Sequence, residues 1–290
     1  TGEYVCFIGD DDGVTRNIIN CVKWMKNNLV DAVFSNCSYY NWSGKALIIN
    51  NKDTIIKHDA SKELDVLLER GMILSDSKLP LLYHAIVKRD ILSNIYKRNK
   101  TLFLSTPPDI SSAISLAFEV NNYYEINIPI IINGTSEMTG GGVIRKGGVI
   151  NLSEVEFISD EDRKEWEKCI PPIWCGSYAW ENSGIKTLRL NGKENYIKKI
   201  NTDYNLAHAF SLRPKKIILF NYALKYKKNI VRLLFYIFIL LSFRVYRKII
   251  SKINKNRIFK DNLKSIIEAE EFFYLNNNYY LNSLSQNVEE

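Results

Sequence analysis

The sequence predicts an α/β fold with a mostly parallel sheet, followed by a helical extension. Through about residue 135, short runs of strand-forming residues alternate with segments of helical period, which is typical of α/β layering. From Glu161 onward the pattern becomes helical, and after Pro214 apolar and aromatic residues are interleaved with lysine and arginine. We therefore expect four regions, namely an α/β domain over 1–160, a helical linker over 161–212, basic and apolar helices over 213–260, and a polar tail over 261–290.

The elements of the α/β region follow from local pattern. The apolar run over 3–9 predicts a buried strand that ends at Gly9, and Thr15 is a candidate N-cap for a helix over 15–28. A second strand is predicted over 31–42 and a helix over 61–71. Later strands are expected in "LYHAIVKRD", "TLFLS" and "YYEINIPIIING", with helices in "DILSNIYKR" and "DISSAISLAF".

Composition and charge narrow the class of protein. With 290 residues and 46% apolar content, the chain can bury a sizeable core, and its net charge of +7 favours an acidic partner such as nucleic acid, anionic lipid or a phosphorylated ligand. Five cysteines without a CxxC pair indicate unpaired thiols in a reducing compartment and give no pattern for a zinc site.

The basic and apolar region contains one purely apolar stretch, "LLFYIFILLSF". That stretch is well short of the roughly 20 apolar residues that a spanning helix needs, and Arg232 and Arg244 bracket it. The pattern therefore predicts a helix at a membrane surface, with its cations near anionic headgroups. The alternative is a helix hairpin packed on the α/β domain. Nucleic acid is disfavoured as a partner because the middle of the segment is too apolar for a phosphate groove.

Three adjacent carboxylates, Asp10, Asp11 and Asp12, follow the first predicted strand and lie between two glycines. Open α/β sheets place ligands at the carboxyl ends of their strands. Mutual repulsion of the three charges would be relieved by a divalent cation, and Mg²⁺ or Mn²⁺ is often held by one or two carboxylates together with substrate phosphates. The triplet thus predicts a metal and nucleoside diphosphate site. The alternative is a solvated acidic turn.

These segments carry a resemblance to a known family. "GEYVCFIGDDDG" resembles the metal-binding strand end of family 2 glycosyltransferases of the GT-A fold. "LYHAIVKRDIL", "PPDISSAISLAF" and "YYEINIPIIINGTSEMTGGG" resemble, in the same order, segments of bacterial enzymes of this type that build O-antigen or capsule polysaccharide. The likeness covers about residues 1–190. One difference is that Gly9 stands where the family most often has an aspartate.

The resemblance leaves the choice of metal ligands open. Alignment with the family matches Asp11 and Asp12, whereas an Asp-x-Asp pattern within the triplet selects Asp10 and Asp12. All three remain candidate ligands of Mg²⁺ or Mn²⁺. The family also implies a Rossmann-like nucleotide-diphospho-sugar fold with a mixed sheet. In the family, part of the nucleotide-binding half precedes the acidic motif, so we expect this chain to be the remainder of a longer protein.

The resemblance assigns the catalytic base to Asp109, which would take the proton of the acceptor hydroxyl. Asp109 also precedes an apolar helix, where the helix dipole favours its anion. The alternative is that Asp109 is only an N-cap, worth about 1 kcal/mol. In the glycine-rich "TGGGVIRKGG", Arg145 and Lys146 are candidates for contact with the donor phosphates, the alternative being an exposed basic turn.

Aromatic side chains and histidines complete the candidate set. Of Trp166, Trp174 and Trp180, we expect at least two in the core, and any of them could stack on an acceptor sugar. His84 and His208 are interpreted as structural.

The function implied by the resemblance is an inverting, metal-dependent hexosyltransferase. It would move a sugar from a nucleotide-sugar donor to a glycan or lipid-linked acceptor in bacterial surface polysaccharide synthesis. We expect it to be cytoplasmic and peripheral on the inner face of the cell membrane. Two alternatives stay open, a metal-dependent nucleotidyltransferase and a truncated, inactive fragment that binds membrane.

Overall fold

The protein is described by a computed structural model over residues 2–49, 55–136, 150–156, 158–211, 216–225, 229–253 and 256–276. The described part contains two five-stranded mixed sheets, a two-stranded sheet and helices, which confirms the α/β class. The strands are β1 (Tyr4–Cys6), β2 (Gly13–Val14), β3 (Ala32–Phe34), β4 (Ser38–Asn41), β5 (Lys45–Ile49), β6 (Ile55–His58), β7 (Ala85–Lys88), β8 (Tyr123–Ile126), β9 (Ile131–Thr135), β10 (Ile150–Asn151), β11 (Ile173–Trp174) and β12 (Arg257–Lys260). The α-helices are α1 (Ile18–Asn27), α2 (Ala60–Glu69), α3 (Arg89–Asn99), α4 (Pro108–Ala117), α5 (Asp160–Lys164), α6 (Gly176–Leu190), α7 (Thr202–Ser211), α8 (Lys216–Lys225), α9 (Ile230–Ile253) and α10 (Ile266–Leu275).

The first sheet has the order β1-β7-β3-β8-β6, with β3 and β8 parallel and the other neighbours antiparallel. The expectation of a mostly parallel sheet is therefore wrong. Both faces are buried. Ala32 and Phe34 of β3 lie in the core covered by α2 and α4, whereas Val33 packs with Cys21 and Met25 of α1 on the other side. Burial on both faces explains why these strands are continuous apolar runs in the sequence.

Three chain segments each supply one strand to the first sheet and the next strand to the second. They are the segments from β1 to β2, from β3 to β4 and from β8 to β9. At the junction, the Ser35 hydroxyl donates to the Ile128 carbonyl at 2.8 Å and the Ser38 hydroxyl to the Ile131 carbonyl at 2.6 Å. The stretch 31–42, predicted as one strand, is thus divided between two sheets.

The second sheet has the order β12-β5-β4-β9-β2, and α10 covers it. Ala269 and Phe273 of α10 are fully buried, against a cluster formed by Tyr40, Ile48 and Ile132. The prediction of a polar tail from residue 261 is therefore wrong for α10. This helix buries one apolar stripe in the cluster beneath the second sheet. The expected helical region up to 260 is likewise corrected, since 257–260 form β12. Residues 277–290 lie outside the described part.

The helical extension packs through α7 and α9. Leu233 and Leu240 of α9 are buried in the main core, and the ring of Tyr236 lies edge-on to that of Tyr204 with centroids 5.4 Å apart. Among the described residues, no helix is both long enough and apolar enough to cross a membrane.

Candidate functional site

The acidic triplet lies in the loop between β1 and β2, where the chain passes from the first sheet to the second. We call residues 9–12 the acid loop. Three groups surround the Asp12 carboxylate. Oδ2 accepts the backbone N–H of Gly9 at 2.7 Å and lies 2.7 Å from His84 Nε2, while Oδ1 accepts the backbone N–H of Gly134 at 2.8 Å. An ionised carboxylate can only accept, so Nε2 carries the proton in this contact.

The hydrogen bonds decide the charge of Asp12. Burial raises its pKa, but the hydrogen bond and charge of His84 and the two backbone donors outweigh burial and hold the pKa below its ordinary value. The side chain is only 5% exposed. Asp12 is therefore an anchored anion that ties the acid loop to His84 before β7 and to Gly134 of β9.

His84 has an unusual backbone conformation for a residue with a side chain. Its φ is +66°, in the left-handed region that costs a non-glycine residue of order 1 kcal/mol or more. The hydrogen bond from its backbone N–H to the Phe7 carbonyl, at 3.1 Å, and the contact with Asp12 hold it there. His84 was expected to be a structural residue inside a strand. It instead precedes β7 and its ring points into the candidate site.

Gly134 approaches the acid loop more closely than any side chain would allow. A Cβ atom on Gly134 would stand 1.7 Å from the carbonyl oxygen of Asp11 and 3.0 Å from the backbone nitrogen of Asp12. Only glycine fits this contact. Gly9 is also crowded, because a Cβ there would lie 3.0 Å from Asp12 Oδ2 and 3.2 Å from Asp11 Oδ1. An aspartate at that position would bring a third carboxylate directly against these two.

Asp10 and Asp11 have fewer described hydrogen-bond partners than Asp12, so their carboxylates are better placed to bind a cation. Asp10 is exposed, whereas Asp11 is half-buried, with Oδ2 accepting the backbone N–H of Ser136 at 3.1 Å. The Asp11 carbonyl accepts the Trp42 indole N–H at 2.9 Å. Among the residues that the structure describes, no group of three or more His, Cys, Asp and Glu side chains converges as a metal site. A cation here would need oxygen ligands from a substrate or from water as well.

Asp109 lies in the first turn of α4, but it does not cap the helix. The N-cap residue is Pro107, and within the described residues no donor hydrogen-bonds the Asp109 carboxylate. Burial raises the pKa of Asp109 above its ordinary value. The positive charge of His84 opposes that rise and the negative charge of Asp12 adds to it. Asp109 is thus close enough to the acid loop to respond to its charges.

A cleft of about 300 Å³ opens beside His84. Tyr83 and Trp180 line it together with Lys78, so aromatic faces and a cation border the same space. Trp174 is buried and Trp166 packs against the core, as expected for two of the three tryptophans. Trp180 is the one placed at the cleft, where it could stack on a sugar ring. His208 hydrogen-bonds Ser177 through Nδ1 at 2.8 Å, away from this cleft.

Asp10, Asp11 and Asp12 share the acid loop, and Asp109 is near enough to Asp12 and His84 to respond to their charges. Arg145 and Lys146, the candidate phosphate contacts, lie outside the described residues. His84 and Gly134 were not selected from the sequence. The only signal for Gly134 was its position at the end of an apolar strand, and nothing local to His84 indicated a contact 72 residues away.

Comparison of the chain with protein-family profiles, with curated proteins and with solved structures finds no match.

Proposed function

We propose that the protein is an inverting, metal-dependent glycosyltransferase with a GT-A fold. It would transfer a sugar from a nucleotide-sugar donor to a glycan or lipid-linked acceptor of a bacterial surface polysaccharide. The observation that carries the proposal is the pair formed by Asp109 and the acid loop. A carboxyl group with a raised pKa and no described hydrogen-bond donor lies within electrostatic reach of an acidic loop at the end of a strand. Two carboxyl groups with pKa values pushed apart are typical of acid–base sites.

The residues present suit a hard cation. Asp11 and Asp10 would supply oxygen ligands to Mg²⁺ or Mn²⁺, and Asp12 would hold the loop in shape, since His84, Gly9 and Gly134 already contact its oxygens. When bound, the cation would neutralise negative charge that develops on the leaving diphosphate. Arg145 and Lys146 remain proposed contacts to the same phosphates.

Asp109 would act as the base. As the acceptor hydroxyl oxygen attacks the anomeric carbon, a carbon–oxygen bond forms on one face of the sugar, and the bond to the diphosphate breaks on the other. The hydroxyl proton passes to the Asp109 carboxylate and the bonding electrons leave with the nucleoside diphosphate. A raised pKa makes the carboxylate a stronger proton acceptor. Trp180 and Tyr83 at the cleft would orient the acceptor.

The partners follow from the same assignment. The nucleotide sugar would lie over the acid loop and the acceptor in the cleft beside His84. The exposed apolar side chains of α9 support a peripheral position on the inner face of the cell membrane, where lipid-linked acceptors are found. Nucleic acid is not proposed as a partner.

The experiment combines binding with product analysis. The chain is titrated with nucleoside diphosphates in the presence of Mn²⁺ or of a chelator, and is then incubated with nucleotide sugars and candidate acceptors. We expect diphosphate affinity to need the cation and to fall about tenfold or more in Asp11→Asn, since a bound cation is the largest local charge in such a site. Product with inverted anomeric configuration and free nucleoside diphosphate would support transfer.

Asp65→Asn is the matched control, because Asp65 is an exposed acid of α2 whose only described partner is Lys199. In a parallel incubation with a nucleoside triphosphate and a sugar phosphate, release of inorganic diphosphate would instead identify a nucleotidyltransferase. Diphosphate affinity that is indifferent to the cation and to Asp11→Asn would contradict the metal assignment and leave the chain as a membrane-binding fragment.

A further inference from the structure

A second cavity, of about 330 Å³, lies beside the C-terminal half of α9 and adjoins the cleft beside His84. It is enclosed by α2, by the 3₁₀ turn Leu74–Asp76, and by α7 and α9. We call it the basic cavity, because its charged lining consists of Arg70, Lys78, Arg244, Arg247 and one carboxylate, Asp76. Its volume is within the range typical of small-ligand sites.

The arginines enter the cavity because of the helical repeat of α9. Leu233 and Leu240 are buried against α7, and positions 244 and 247 continue the same face of the helix, at spacings of four and seven residues. Beyond the end of α7 at Ser211, this face is no longer apolar. Arg244 donates to the Ser211 carbonyl, and Arg247 Nη2 lies 3.6 Å from Asp76 Oδ1.

Positive charge in the basic cavity exceeds what its described carboxylate can balance. Arg70 and Arg247 both lie near Asp76, whose Oδ2 already accepts the Tyr204 hydroxyl at 3.0 Å. Lys78 is paired with Glu125 at 2.8 Å. Three guanidinium groups around one carboxylate have donors left for an anion, and guanidinium geometry suits phosphate oxygens.

His208 adds a donor or acceptor to the basic cavity without adding charge. Burial lowers its pKa to about 4. Asp76 opposes that fall, while the charges of Arg244 and Arg247 add to it. His208 is therefore neutral at pH 7.

The opposite face of α9 is apolar and exposed. Phe235 and Phe238 are 59% and 69% exposed, and Leu234, Leu241, Val245 and Ile249 extend the same face. An exposed apolar surface of this length marks a partner or a membrane. Arg244 and Arg247 lie off this face, whereas Lys248 stands at its edge, three residues after Val245 and seven after Leu241. One side of the helix thus suits hydrocarbon, and the side at the basic cavity suits anionic groups.

We infer that the basic cavity binds the phosphate group of an anionic membrane lipid whose acyl chains contact the exposed apolar face of α9. Charge complementarity selects the occupant, because an anionic lipid carries in one molecule a phosphate for the arginines of the cavity and acyl chains for the apolar side chains of α9. The inference deepens the proposed function. Ser75 and Lys78 line both the basic cavity and the cleft beside His84, so the lipid phosphate would lie next to the acceptor.

The test is co-sedimentation of the full chain with phosphatidylcholine vesicles, prepared with and without phosphatidic acid. We expect wild type to prefer the vesicles that contain phosphatidic acid. The double variant Arg70→Gln/Arg247→Gln should bind them about 25-fold more weakly, since each cation near an anionic surface contributes roughly fivefold. Phe235→Ser/Phe238→Ser should bind both kinds of vesicle more weakly.

The matched control is Lys23→Gln/Lys97→Gln, which removes the same charge from exposed positions of α1 and α3 that do not line the basic cavity. Equal losses in the two charge variants would overturn the cavity assignment. Two results would overturn the lipid as occupant. One is that soluble glycerol phosphate binds the protein as tightly as the vesicles do and displaces them, and the other is that the protein forms a dimer without lipid in which Phe235 is buried.

Transfer is measured separately. Asp109→Asn should lose transfer and keep its preference for phosphatidic acid. Lipid binding without any transfer by wild type would refute the proposed function and leave the cavity assignment standing. Sugar transfer by wild type together with equal binding to the two kinds of vesicle would refute the cavity assignment and leave the proposed function standing.

Discussion

Asp12 in the acid loop and Asp109 at the start of α4 are both shielded from water, yet their pKa values shift in opposite directions. Burial raises the pKa of each. Asp12 receives hydrogen bonds from His84, Gly9 and Gly134, which more than offset burial, whereas Asp109 has no such donor among the described residues. The number of donors therefore distinguishes a carboxylate that holds the fold from one that can exchange a proton.

The two shifts also predict opposite dependences of stability on pH. Because the folded pKa of Asp12 is lowered, its contribution to the free energy of unfolding is present above its ordinary pKa and is lost as pH falls through the lowered pKa. Asp109 has a raised folded pKa, so the folded state binds its proton more tightly. Its contribution is present below the ordinary pKa and is lost as pH rises through the raised value.

The largest expected effect is that of Asp109→Asn. If Asp109 is the base, transfer should fall by about 10²–10⁴-fold, the usual contribution of general base catalysis. The free energy of unfolding should not decrease, because a neutral amide replaces a carboxylate that burial disfavours. Initial transfer rates and urea unfolding at pH 7 measure the two quantities. Asp90→Asn is the control, since Asp90 is the acid in the first turn of α3. A variant that transfers at the wild-type rate would remove Asp109 from the mechanism.

The next effect in size is that of Gly134→Ala. The new methyl group would collide with the Asp11 carbonyl, so either β9 or the acid loop must move, at a cost of about 3 kcal/mol. We expect a lower midpoint of urea unfolding and weaker cation-dependent diphosphate binding. Gly176→Ala is the control, because a Cβ on Gly176 meets nothing within 4 Å. Equal midpoints for the two variants would show that the contact between β9 and the acid loop does not constrain the fold.

The smallest effect is that of Asp12→Asn. Loss of the ionised acceptor should lower the free energy of unfolding by about 1.5–3 kcal/mol at pH 7, the usual worth of hydrogen bonds to a charged group. The difference from wild type should persist down to about pH 4 and shrink below it, as the wild-type carboxylate becomes protonated. Unfolding curves at several pH values test this. Asp31→Asn serves as a comparison, because the described donors to the Asp31 carboxylate are two backbone N–H groups, those of Asn121 and Asn122. A difference that grows below pH 4 would contradict the assigned direction.

Part of the site could be predicted because it is local in sequence. The acid loop combines a strand end with adjacent carboxylates, and Asp109 follows two prolines at a helix start. His84 could not be selected, because its importance depends on a left-handed backbone and on a contact with Asp12 from a distant segment. The opposite shifts of the two aspartates also required the structure, since donors and burial are tertiary properties.

In the fold, as in the site, local features could be predicted from the sequence and tertiary ones could not. Local pattern located helices α1 to α4 and the strands of the longest apolar runs, but it missed β2, β5 and β6 and predicted a strand in "TLFLS" where the structure has none. Continuous apolar runs also gave no sign that residues 31–42 leave one sheet and join another. The C-terminal prediction failed for α10 because it followed the three glutamates of the helix and the polar, Asn-rich sequence after it, although seven of the ten residues of α10 are apolar or aromatic and Ala269 and Phe273 are buried.

Arg16, which lies between β2 and α1, forms ion pairs with α10, so the second sheet is completed by residues from both ends of the described chain. Its guanidinium group pairs with Glu270 and Glu271 at 2.6 Å each and lies 4.1 Å from the ring centroid of Tyr274, which joins the two ends of the described chain. Because β12 pairs with β5, a ribosome must synthesise the chain through residue 260 before the second sheet can be completed. Until then β5 has an unpaired edge, which is a template for misassociation. Contacts this distant in sequence also slow folding. Nascent chains stalled before residue 257 should therefore depend on chaperones more than the finished protein does.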